Sequence, residues 1–191
     1  MSQQESRIEG RGAVLELTRP QTPRTGSLTF EGDYARITFV RRLQHPADRV
    51  WEMLTEPEHL AQWFMTKARI DPREGGSIEF WSGPAQLHVT GKIRTWDPPR
   101  LFEHEWNLEP RKDFPKGETS IVRWELTPEG DGTLLRITHR RLTRRTATGF
   151  VGGLHGFLDR LEDQLEGAPL TDWPRRVGEV RPNYPEPWSE G

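Results

Sequence analysis

Hydrophobic and polar positions change period three times along this chain, and the changes outline its elements. From Tyr34, Ile37, Phe39 and Leu43 alternate with Arg36, Thr38 and Arg42, the period-two pattern of a half-buried strand. The period then lengthens. Val50, Trp51 and Leu54 recur at helical spacing behind Pro46, which is tolerated in a first turn, and Asp48, whose charge suits a helix N-terminus. Pro57 stops that helix and opens a second, whose apolar face is Leu60, Trp63 and Phe64.

Alternation returns in six further runs: Ala68–Ile70, Ser77–Trp81, Gln86–Thr95, Leu101–Trp106, Thr119–Leu126 and Thr133–His139. Turn-forming residues separate them, at Arg73-Glu74-Gly75-Gly76, Gly83-Pro84, Asp97-Pro98-Pro99 and Glu129-Gly130-Asp131-Gly132. This predicts seven strands, the last six joined as an antiparallel meander. The segment Asn107–Glu118, with two prolines and mixed charge, reads as a mobile loop at one end of the sheet.

A last change gives Thr146–Glu166. Phe150, Leu154, Phe157, Leu158, Leu161 and Leu165 step by three and four on one helical face. Gly149, Gly152, Gly153 and Gly156 crowd its first half and imply close approach to something bulky, or a bend. Gly167 and Pro169 end it. Residues 1–33 read as a loose arm, with one short strand allowed around Val14, Leu15 and Leu17. Residues 168–191 contain five prolines and read as a tail without a regular element, pinned to the domain by Trp173, Tyr184 and Trp188. Residues 34–167 are then the domain. Ile8-Glu9-Gly10-Arg11 matches a factor Xa cleavage sequence, taken as coincidence because no purification tag precedes it.

The motifs resemble one superfamily. Val50-Trp51-x-x-Leu54-Thr55-x-Pro57-Glu58-x-Leu60-x-x-Trp63-Phe64 is similar to the opening of the SRPBCC (Bet v 1-like, START-like) superfamily. More narrowly it resembles the branch named after the C-terminal domain of the heat-shock-protein-90 ATPase activator. Gly75-Gly76, Gly91-Lys92-Ile93, Pro98-Pro99-Arg100-Leu101, Asp131-Gly132-Thr133-x-Leu135-x-Ile137-Thr138-His139 and Gly156-Phe157-Leu158-Asp159-x-Leu161 follow in the same order. The resemblance implies an α+β helix-grip fold: a curved seven-stranded antiparallel sheet around a long C-terminal helix, with two short helices after strand 1. It also implies a cavity between sheet and helix. One departure is Gly153-Leu154, where the branch often carries Gly-Trp; the smaller side chain would enlarge the cavity there.

Composition narrows the chemistry. Hydrophobic residues make up only 32%, yet there are 8 Trp and 8 Phe, so bulky rings must build much of the core. Net charge is −2, which gives no reason to expect a nucleic-acid partner. Without cysteine there are no disulfides, thiolate metal sites or Cys nucleophiles. No apolar run reaches membrane-spanning length and no signal pattern opens the chain, so a cytoplasmic protein is expected. No cofactor or metal is expected, and a homodimer stays open.

Strand parity and helix period give the expected cavity lining: Phe39, Phe80, Val89, His104, Trp106, Trp124, Phe150, Leu154 and Phe157, with Trp63 near the mouth. The weak catalytic candidates are His104, Arg41 and His139. An inward imidazole orients a ligand, works as acid or base, or is only a hydrogen-bonded strand histidine. Arg41, on the face of Ile37 and Phe39, needs a carboxylate, a route to water or an anionic ligand. Glu103 and Glu105 read as solvated, and His155 as surface. The arginines at 136, 140, 141, 144 and 145 read as a salt-bridged surface patch.

Three functions follow. The leading one is binding of a small apolar or aromatic molecule, without catalysis. The second is a cyclase, aromatase or hydrolase acting on a polyketide-like substrate through His104, Arg41 and His139. The third, implied only by the resemblance, is a co-chaperone that activates an ATPase.

Overall fold

The structure, a computed structural model, describes residues 24–83, 85–112 and 115–186. The cluster at Val14–Leu17, the tetrapeptide at Ile8–Arg11 and Trp188 lie outside them.

All seven expected strands are present and each runs within a few residues of its predicted bounds. They are β2 (Tyr34–Leu43), β3 (Lys67–Ile70), β4 (Ser77–Ser82), β5 (Leu87–Asp97), β6 (Leu101–Leu108), β7 (Glu118–Glu129) and β8 (Gly132–Thr143). An eighth, β1 (Ser27–Glu31), lies inside the segment read as an arm and pairs antiparallel with β2. Its side chains are largely exposed, so it carries no alternation that could announce it. The sheet is open and antiparallel, in the order β1-β2-β8-β7-β6-β5-β4-β3.

The paired short helices are α1 (Ala47–Thr55) and α2 (Pro57–Trp63). Pro46 caps the first and Pro57 begins the second, as their fixed φ allows. The Trp63 indole locks the pair, donating from Nε1 to Met53 O at 2.8 Å. The long helix α3 (Arg144–Glu166) starts on Thr143, whose hydroxyl accepts from Thr146 N, and ends at Gly167 with φ of 68°. The concave face of the sheet packs on α3, and Phe39, Phe80, Val89, Ile93, Phe102, Leu135 and Ile137 are buried there.

The C-terminal segment corrects the expectation of an irregular tail. Trp173–Val180 forms a fourth helix, α4, followed by a 3₁₀ turn at Arg181–Asn183. Prolines do not prevent it. Pro174 occupies the first turn, where no N–H is needed, Asp172 caps by accepting from Arg175 N, and Pro169 and Pro182 fall outside the helix. The glycines of α3 make room for α4. A Cβ on Gly156 would lie 3.1 Å from the Trp173 ring, and one on Gly153 3.3 Å from it. Trp173 stacks on Phe157 with ring centroids 4.9 Å apart.

Two irregularities redirect side chains. A bulge between Ile93 and Thr95 shifts the parity of β5, so Trp96 joins the inner face against Trp51 and Phe102. A second, where Arg141 has φ of 63°, interrupts pairing of β8 with β2 at Ala35/Arg36. Among the described residues, no helix is long and apolar enough to cross a membrane.

Candidate functional site

Three structural layers line a cavity of about 340 Å³, open on one side, at one end of the sheet. The sheet contributes Trp106, Val122, Trp124 and His139 from three adjacent strands, at positions that alternation turns inward. Helix α3 contributes Phe150, Leu154 and Phe157, spaced four and three apart, with Gly149 and Gly153 each one residue before the first two. Trp173 and Val177 of α4 form the outer wall, and Phe64 and Met65 close the side after α2. Ala85, Leu87 and Arg111 stand at the loop end, where the Arg111 guanidinium donates to Gln86 O.

Trp106, Trp124, Phe150, Leu154 and Phe157 of the expected lining therefore meet around one space. Phe39, Trp63, Phe80, Val89 and His104 are buried in the packed core instead and do not line it. Parity says which face a side chain takes but not how far along the strand a gap opens. The α4 wall has no signal in the alternation at all. Its trace lay in the glycines of α3, of which Gly153 and Gly156 meet Trp173 closely.

Arg41 stands apart from the two histidines, which share one row of the sheet on either side of Val122. His104, 1% exposed, donates from Nδ1 to Glu105 O at 2.9 Å and accepts at Nε2 from the Trp124 indole at 3.4 Å. Burial pushes its pKa down to about 4, and its bond to the Glu105 carbonyl opposes this only in part. Arg41, 3% exposed, is on the far side of α3, with Nε 2.9 Å from Glu162 and Nη2 3.7 Å from Asp159. Only His139 reaches the cavity. Its Nε2 meets Ser120 Oγ at 2.8 Å, and that hydroxyl donates to Trp106 O at 3.2 Å. With the Ser120 proton so used, His139 Nε2–H donates to Ser120. Burial, then the neighbouring His104, lower the His139 pKa to about 3, so both imidazoles are neutral at pH 7.

Other polar readings change. His155, expected at the surface, is 2% exposed, because the C-terminal segment folds over it and Tyr184 Oη bonds its Nδ1 at 2.7 Å. Glu103 does face outward but is not solvated. Arg94, Arg123 and Arg140 surround it at 3.2–3.4 Å and cover it. That pairing and the Arg144 bonds to Gly32 O divide the arginine patch between separate partners. Among the described residues, no group of three or more His, Asp or Glu could hold a metal ion.

One buried polar atom stands out. Trp106 is 5% exposed, and its Nε1–H has no hydrogen-bond partner among the described residues. Where the resemblance implies a Trp after Gly153, Leu154 leaves space, and an indole arrives from α4: Trp173 Nε1 donates to Gly153 O at 3.0 Å.

Known proteins share this architecture. The crystal structure of CalU16 from Micromonospora echinospora is 26% identical with a TM-score of 0.65, over 84% of this chain and 92% of that one. Protein MLL2253 from Mesorhizobium loti is 25% identical with a TM-score of 0.62, over 71% of this chain and 99% of that one. DynU16, a protein in the dynemicin biosynthetic locus, shares the fold at 24% identity and a TM-score of 0.60, over 75% of this chain and 51% of that one. No curated protein matches the chain. The model of the family described as Activator of Hsp90 ATPase homolog 1-like protein matches residues 44–166, from the start of the helix pair to the end of α3. With more than half of its length inside that match, the chain belongs to this family.

Proposed function

We propose that this protein binds a small apolar or aromatic molecule between the sheet, α3 and α4. The observation that carries this is the cavity of about 340 Å³, within the size range of small-molecule sites and walled mainly by aromatic and aliphatic side chains. The way the polar candidates are engaged favours binding over catalysis. Arg41 is engaged by two carboxylates across the helix, His104 by its neighbours in the core, and a His139 of pKa about 3 is a weak base at neutral pH.

Titration calorimetry with 2-methylnaphthalene tests the reading. One molecule should bind per chain, and Leu154→Trp, which fills the cavity from α3, should abolish binding while the protein stays folded. Absence of binding to the unaltered protein, or undiminished binding to the filled variant, overturns it.

A further inference from the structure

Resting on that reading, we infer that the cavity selects neutral aromatic molecules carrying a hydroxyl, a phenol above all, and that the hydroxyl donates to Nδ1 of His139. Of the described side chains that line the cavity, His139 alone carries a nitrogen or oxygen able to accept a hydrogen bond. The tryptophans and Arg111 only donate, and the rest are apolar.

The bonds of His139 fix which nitrogen accepts. Nε2 meets Ser120 Oγ at 2.8 Å, and Ser120 Oγ lies 3.2 Å from Trp106 O. With the proton on Nε2, both bonds form and Nδ1 keeps a lone pair. With the proton on Nδ1, Ser120 would have to donate to His139, its bond to Trp106 O would be lost, and an N–H would be left unpaired. Burial lowers the His139 pKa to about 3, so at pH 7 the ring is neutral and the lone pair is free to accept.

That lone pair is open to the cavity. His139 is 4% exposed, yet its Nδ1 is not among the side-chain nitrogens sealed off without a partner, as Trp106 Nε1 and His155 Nε2 are. It keeps accessible surface, and the open space that His139 borders is the cavity. Among the described residues no donor reaches it. The Trp124 indole donates to His104 and the Trp173 indole to Gly153 O, while that of Trp106 is unpaired. Trp106 and Phe150 flank the imidazole with ring centroids 5.6 and 6.1 Å away, so the body of a ligand at this point meets aromatic rings. A purely apolar ligand that covers Nδ1 leaves it without a donor, whereas a hydroxyl supplies one. A carboxylate would lose its water and face a lone pair.

Titration calorimetry at pH 7 with 2-naphthol, 2-methylnaphthalene and 2-methoxynaphthalene tests this on the unaltered protein and on His139→Phe, which keeps a ring but removes the acceptor. Naphthol and methylnaphthalene are nearly equal in shape and differ by O–H against CH₃, so the ratio of their affinities cancels a change in cavity size. That ratio should fall about tenfold in the variant, where the hydroxyl is buried without a partner. 2-Methoxynaphthalene, which has the oxygen but not the proton, should show no such fall relative to methylnaphthalene.

If methylnaphthalene binds but the naphthol ratio is the same in the variant, or the methoxy ratio falls with it, the hydroxyl inference is overturned while the proposed binding function stands. If none of the probes binds the unaltered protein, both fall. Should His139→Phe not fold, the ¹⁵N resonances of the His139 ring in the unaltered protein decide. Nδ1 should carry no proton and should move upfield with 2-naphthol but not with 2-methylnaphthalene. A proton on Nδ1, or equal shifts with the two probes, would overturn the inference.

Discussion

The two sides of helix α3 solve opposite problems. One side, Phe150, Leu154 and Phe157, faces a space that neighbouring side chains leave open. The other, His155, Asp159 and Glu162, is closed around charge. Asp159 takes Arg176 at 2.6 Å, Arg24 at 2.7 Å and Arg41 at 3.7 Å, and Glu162 takes Arg24 at 2.6 Å and Arg41 at 2.9 Å. Burial works against the Asp159 carboxylate, but hydrogen bonds from Arg176 and Arg24 hold its pKa below the usual range. Burial wins at Glu162 and raises it. The charged side draws together Arg24 before β1, Arg41 in β2 and Arg176 in α4, whereas the cavity side is held by ring packing and by the single Trp173–Gly153 hydrogen bond. Ionic contacts on one side of α3 thus anchor the α4 that walls the cavity on the other.

Acid should produce the largest effect and reach both sides. His104, His139 and His155 have folded pKa values of about 4, 3 and 4, against about 6.5 when unfolded. The unfolded chain therefore takes up protons first as pH falls below 6.5. Each histidine then costs about 1.4 kcal/mol per pH unit until its folded value is reached. Glu162, with a raised pKa, offsets part of this, and the lowered Asp159 adds its own loss at more acidic pH, as it is protonated. Unfolding free energies from urea titrations at pH 7 and pH 5 should differ by several kcal/mol, and equal values would mean the histidines are not buried as described.

Breaking the charged hub comes next. Asp159→Ala leaves Arg41 and Arg176 short of a partner and should destabilise by about 3–5 kcal/mol in urea unfolding. Affinity for 2-methylnaphthalene should stay within about twofold, because Asp159 does not line the cavity. A lost affinity in a folded variant would show that the two sides are coupled. Trp173→Ala, which removes a half-buried wall, should cost about 2 kcal/mol and weaken probe binding roughly tenfold. Leu154→Trp should move stability least, by about 1 kcal/mol, because the new ring enters open space, while abolishing binding.

The contrast between the sides also explains what the sequence could tell. Period two located β2 through β8, and period three-and-four located α3, because burial on one face writes that pattern directly. Arg41, on the face of Ile37 and Phe39, was legible as a cation needing a carboxylate, a route to water or an anionic ligand, and Glu162 and Asp159 supply the first. His155 was misplaced because the helix wheel sends it beside the apolar stripe, and the pinned tail gave no sign that Tyr184 would cover it. The helix α4 hid behind the prolines of that tail, although Gly153 and Gly156 had left its imprint on α3. The unpaired indole of Trp106 has no sequence signature, because it depends on what its neighbours fail to offer.

The most direct measurement of the central claim is a ¹⁵N–¹H spectrum of the tryptophan indoles, recorded while 2-methylnaphthalene is added. The account predicts saturable shifts at Trp106, Trp124 and Trp173, whose rings line the cavity, and still signals at Trp51, Trp63 and Trp96, which pack elsewhere. Shifts centred on Trp51 and Trp96, or none at any indole, would contradict it.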